Sequence, residues 1–200
     1  GAIPIMRTGG SVQIKRVNGE LIVTGPHAKR IRVVKGQLEE QGEADVLFLN
    51  DGEGRFRAVP WDSDYFVDEA GKPLAAPLDF GLAVQLRDLN DDGFPDIYVC
   101  NDFQTPDRFW INDGRGKFHA LPRLGLRKES YSAMSADFAD VDRDGHLDFM
   151  VTEMLSREHT MRLKQILPGP APSPVPGQIE NRPPVMRNVF FRNRGDGTYA

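Results

Sequence analysis

The sequence predicts an all-β protein assembled from repeated four-stranded units. Two acidic loops, DLNDDGFPD at 88–96 and DVDRDGHLD at 140–148, are each followed by a short run rich in β-branched and aromatic residues. A second motif recurs at 45–56, 107–118 and 188–199: DVLFLNDGEGRF, DRFWINDGRGKF and NVFFRNRGDGTY. In it Asn50, Asn112 and Asn193 align, as do Gly52, Gly114 and Gly195. Each copy reads as a hairpin whose turn needs positive φ at glycine. Combined, the motifs give strand, acidic loop, strand, strand, glycine turn, strand, in roughly the span of one β-propeller blade.

The N-terminal copy covers 11–60: the hairpin SVQIKRVNGELIVTG, the strand KRIRVV and the first glycine hairpin, without an acidic loop. The second copy covers 80–123 and contains AVQLRD, the first acidic loop, DIYVCN, DRFWIN and KFHALP. The third runs from 131 to 200 and is interrupted at 154–187. Within that insertion, 155–167 predicts a short helix capped by Ser156. The stretch 168–184 holds seven of the chain's 15 prolines and predicts an extended, polyproline-like loop. Arg157, His159, Arg162 and Lys164 make the insertion positive, either as a solvated helix face or as a docking element. The expected architecture is therefore a partial β-propeller of about three blades, with a helix and a proline-rich insertion in the last.

The acidic loops carry the chemistry. Oxygen side chains stand at positions 1, 3, 5 and 9: Asp88, Asn90, Asp92 and Asp96 in the first, Asp140, Asp142, Asp144 and Asp148 in the second. Position 7, Phe94 or His146, offers a backbone carbonyl, and Gly93 and Gly145 permit the sharp turn. A hard divalent cation takes six to eight oxygen ligands at about 2.3–2.6 Å, which a nine-residue loop can wrap around one point. The reading is two Ca²⁺ sites. Mg²⁺ suits such a loop less, since it dehydrates reluctantly. A bare Asp/Asn/Gly turn without metal is the plain alternative. An EF-hand is not: position 12 is Val99 or Val151 where that loop needs glutamate, and strands flank the loops.

The 200 residues are 40% hydrophobic and 27% charged, an ordinary globular composition. A net charge of −4 suggests neither nucleic-acid nor membrane binding, and two divalent cations would neutralise it. No apolar run is long enough to span a membrane. Cys100, the single cysteine, sits in an apolar strand and has no partner for an internal disulfide. The four histidines are scattered, and no glycine-rich phosphate loop or nucleophile elbow occurs, so no catalytic set is assigned. Asp102, Asp137 and Glu153 are further acids near the loops, with an outer-shell or catalytic role open to them. Trp61, Trp110, Tyr65 and Phe66 offer a sugar-stacking face, although Trp110 lies in a strand and suits a core position.

With these residues in view, the chain resembles the FG-GAP/VCBS repeats that build integrin α propellers and many bacterial secreted proteins. The segments DIYVCND, PDRFWINDGRGKF and RNVFFRNRGDGTY look most like bacterial proteins similar to cartilage acidic protein, which often carry an ASPIC/UnbV segment. The resemblance implies a Ca²⁺ in each acidic loop, none in the N-terminal unit, and a seven-bladed ring of which this chain is a piece. It implies an extracytoplasmic binding module for protein or glycan. The alternatives are a propeller-scaffold polysaccharide lyase or hydrolase, or an architectural part whose partners are the remaining blades. Extracellular calcium modules bind with Kd of about 10⁻⁴–10⁻³ M, which independently favours a periplasmic, surface or secreted location.

Overall fold

The computed structural model describes residues 2–4, 11–34, 36–61, 63–102, 105–165 and 182–200. The protein is mostly β, as expected. It divides into two compact units, Gly1–Ala44 and Asp45–Ala200. In the first, Ser11–Val17 and Glu20–Thr24 form a hairpin, with Ala2–Pro4 paired to its outer edge. Asn18 and Gly19 take φ of 51° and 88° at its tip, the positive values that a two-residue hairpin turn requires. Ile31–Val34 and Gln37–Glu40 make a second, separate hairpin. The unit boundary thus runs through the segment read as the blade 11–60, whose strands lie in separate sheets. Val17, Ile22 and Val33 of these hairpins are exposed.

The second unit contains two sheets that match the predicted repeat. Gly81–Arg87, Asp96–Asn101, Arg108–Asn112 and Phe118–Ala120 pair antiparallel in chain order, and Phe66–Val67 adds a parallel edge. Ala133–Ala139, Asp148–Glu153 and Val189–Phe191 repeat the first three strands, and a bridge between Asn193 and Tyr199 stands where the fourth would be. The registers coincide: Ile97 opposes Trp110 as Phe149 opposes Phe191. The arrangement is compatible with two successive propeller blades.

Strand Asp96–Asn101 is buried along its whole length because both faces are covered. Successive side chains point to opposite faces. Tyr98 and Cys100 join Phe109, Phe149, Val151 and Phe191 in the core between the two sheets. Ile97 and Val99 join Trp110, Phe66 and Phe118 in a second core against the chain 47–61. Cys100 is accordingly a buried packing residue, and burial pushes its thiol well above the usual range.

The helix of the insertion starts later than expected and is described over His159–Gln165, with 166 and 167 outside the described residues. Its cap is Glu158, whose carboxylate accepts the backbone N–H of Thr160 and Met161, while Ser156 accepts that of Glu158 one step earlier. The longer glutamate reaches the first free N–H groups of the helix, which Ser156 does not. Most of the expected proline-rich loop lies outside the described residues.

Candidate metal centre

Each acidic loop folds around its own carboxylates. In the second, Asp140 accepts the N–H of Asp144 and of Gly145, each at 3.1 Å, and Asp144 accepts that of His146 at 3.0 Å. The first repeats the pattern: Asp88 accepts from Asp92 and Gly93, and Asp92 from Phe94. Position 4 takes φ near +60° in both, at Asp91 and Arg143. These bonds hold the side chains of positions 1 and 5 on the inside of each loop. Among the described residues, oxygens of Asp140, Asp142 and Asp144 all lie within 4.8 Å of one another. In the first loop Asn90 donates to Asp92 at 2.9 Å, which draws the corresponding side chains together.

The ninth residues, Asp96 and Asp148, are buried beneath the loops, and Asp148 stands outside the Asp140 group. Asp96 accepts the N–H of Leu89 with one oxygen and that of Asn112 with the other, both at 2.8 Å. Asp148 does the same with Val141 at 3.2 Å and Asn193 at 2.8 Å. The bonds are returned: Asn112 Nδ2 donates to the Pro95 carbonyl and Asn193 Nδ2 to that of Leu147. The acidic loop and the glycine hairpin, separate motifs in the sequence, therefore clasp each other through one Asp and one Asn. Burial pushes the Asp96 carboxyl up to about 6, opposed by its two N–H donors and assisted by Asp92 and Asp88.

The hairpin asparagines serve their own turns as well. Asn50, Asn112 and Asn193 each accept the N–H of the glycine two residues on, at 3.0–3.1 Å. Position 7 of the acidic loops contributes a side chain as well as the expected carbonyl. The Phe94 ring lies on Gly114 and the His146 ring on Gly195, so close that a Cβ at either glycine would sit within 2.6 Å of ring atoms. Gly52, whose hairpin faces no acidic loop, has open space there. His146 also meets Asp91 of the first loop at 2.8 Å, which raises its pKa and joins the two loops.

The donor set fits a hard cation: exposed carboxylate oxygens with no thiolate or imidazole nitrogen among the grouped ligands.

Residues 88–151 match the family model described as an FG-GAP-like repeat. This part of the chain is similar to an FG-GAP-like repeat. The match begins at Asp88, the first residue of the first loop, and ends in the strand that follows the second. No curated protein and no solved structure matches the chain. The FG-GAP-like repeat suggests a propeller-type interaction module. No helix among the described residues is long and apolar enough to cross a membrane.

The further acids are placed differently from expectation. Glu153 lies at the opposite end of its strand from the acidic loop, and one of its oxygens accepts from Ser130 Oγ and the N–H of Tyr131 and Ser132. Asp137 is exposed on its strand and accepts the N–H of Phe138. Asp102 is buried at the end away from the loops, its N–H on the Phe80 carbonyl. Trp110 and Phe66 are core residues, with Trp61 stacked on Phe66 at 4.2 Å and its Nε1 donating to the Asp45 carbonyl. The aromatic group thus packs against itself instead of forming an open platform.

That far end holds a buried ionic group which sequence reasoning missed. Asp107 accepts from the Tyr98 hydroxyl and the Asn101 N–H, Arg108 grips Asp79 with two nitrogens, and Arg182 donates to the carbonyls of Leu126 and Leu121. Burial pushes Asp107 up to about 7 and raises Glu129 well above the usual carboxylate range.

Proposed function

We propose that the chain is a Ca²⁺-stabilised FG-GAP-type segment that serves outside the cytoplasm as a binding module for a protein or a glycan. The observation that carries the calcium part is the convergence of Asp140, Asp142 and Asp144 at the tip of a loop anchored from below by Asp148. Asp88, Asn90 and Asp92 would hold the ion of the first loop, with the carbonyls of Phe94 and His146 completing the two sets. A bound cation offsets the mutual repulsion of the clustered carboxylates. It thereby stiffens the loop, and through the Asp–Asn clasp the hairpin beside it. Its role is structural, and no catalytic step is assigned. Extracellular modules bind calcium weakly enough that such sites fill outside the cell, which supports the extracytoplasmic assignment.

A specific observation supports a second, compatible reading, in which the chain packs against further sheets. Equivalent positions of the two sheets are covered in one and open in the other. Leu89 is 3% exposed and its counterpart Val141 62%; Tyr98 is 0% exposed and its counterpart Met150 42%. Phe109 is buried and its counterpart Phe190 is exposed. The second sheet covers this face of the first, so the same face of the second suits another sheet of the same kind, from this protein or a partner. Burial of such side chains stabilises by about 1.5–3 kcal/mol each.

Thermal unfolding in millimolar Ca²⁺ and in EDTA tests the calcium reading. A higher Tm in Ca²⁺ supports it, and an identical Tm removes the calcium from the proposal.

A further inference from the structure

Among the side-chain oxygens at positions 1, 3, 5 and 9 the two loops differ only at position 3, and beside it Asp91 in the first stands where the second has Arg143. Where the first has Asn90, the second has Asp142. The common register makes Ile111 and Arg192 equivalent, each standing immediately before the hairpin asparagine. Ile111 packs against the core between the sheets. Arg192 instead reaches the loop, with Nε 2.6 Å from Asp142 Oδ2 and Nη2 3.7 Å from Asp144 Oδ2. Asp142 and its cation Arg192 therefore occur together where the first loop has Asn90 and Ile111.

We propose that Arg192 sets the cation affinity of the second loop by cancelling the charge that Asp142 adds to it. The proposal rests on the calcium reading of that loop. The pair is largely exposed to solvent, so its charges act in a nearly aqueous dielectric. Two cations that share one carboxylate lie on the order of 5 Å apart. In water a single and a double charge at that distance repel by an amount worth roughly tenfold in a binding constant. Asp142 attracts the ion by a similar factor.

The test is a calorimetric Ca²⁺ titration of the 200-residue chain carrying D88A, which leaves the second loop as the site observed. Adding R192Q, which keeps the side chain's reach without its charge, tightens binding about tenfold. R192K leaves it within about twofold, and D142N with R192Q returns it to the value of the D88A chain. Binding by R192Q that is unchanged or weaker overturns the role of Arg192 and leaves the calcium reading intact. Absence of binding in both the D88A and the unaltered chain overturns the calcium reading, and this proposal with it.

Discussion

Alanine at the three aligned hairpin glycines separates the contribution of the acidic loop from that of the hairpin turn. Gly52, Gly114 and Gly195 take φ of 87°, 66° and 70°, so alanine at any of them incurs the left-handed penalty of about 1–2 kcal/mol. At Gly52 nothing else opposes the new methyl group. At Gly114 it would lie 2.3–2.8 Å from three ring atoms of Phe94, and at Gly195 2.5 Å from Nε2 of His146. Both rings are partly exposed and can swing outward, which replaces a hard clash by lost packing and a shifted loop; overpacking of that kind costs about 1–3 kcal/mol. The expected destabilisation is therefore about 1–2 kcal/mol for G52A and about 2–5 kcal/mol for G114A and G195A. All three residues lie in the unit Asp45–Ala200. Urea denaturation of the three variants, with midpoints compared at unchanged slope, gives the differences directly. F94A combined with G114A should cost less than the sum of the two single changes, because the ring that opposes the methyl group is gone. Equal destabilisation by G52A and G114A would refute the claim that position 7 of the loop packs on the hairpin.

Other consequences follow from the buried polar groups. Asp148→Asn replaces a carboxylate that accepts two backbone N–H groups by an amide that accepts only one, and should destabilise by about 2–3 kcal/mol in denaturant titrations. Tyr98→Phe leaves Asp107 Oδ2 without its hydroxyl donor inside the protein and should cost about 1–3 kcal/mol by the same measurement. Asp107, pushed up to about 7 chiefly by burial, holds its proton more tightly folded than unfolded. The stability it supplies is complete below about pH 4 and lost as pH rises through about 7, so Tm in calcium-free buffer should fall across that interval. Glu129 and Asp45, both raised by burial, act in the same direction. A Tm that rises steadily from pH 4 to 7 would contradict the buried, proton-holding state of this group.

The elements that were legible in the sequence are those written in local spacing. The acidic loops, the strands after them and the glycine turns are each set by residues fewer than ten apart, through Asx-type bonds and positive φ. What could not be read is what joins them. The Asp148–Asn193 clasp spans 45 residues, and the bond from Asn193 to the Leu89 carbonyl spans 104. No periodicity announces such a pairing. Phe94 and His146 were chosen for their carbonyls, while their rings turned out to fix the neighbouring glycines. Glu153 looked close to a loop in sequence, yet a strand runs one way, and six residues place it at the opposite end. The segment 11–60 had the turns of a blade but lacked an acidic loop to clasp its glycine hairpin, and its hairpins lie in separate sheets.

The central claim is that each acidic loop holds one calcium ion. A calorimetric titration of the chain with Ca²⁺ tests it most directly, repeated on D88A and on D140A. The account predicts two ions per chain, one lost with each substitution. Failure of the unaltered chain to bind calcium at millimolar concentration would contradict it, as would a stoichiometry that neither substitution changes.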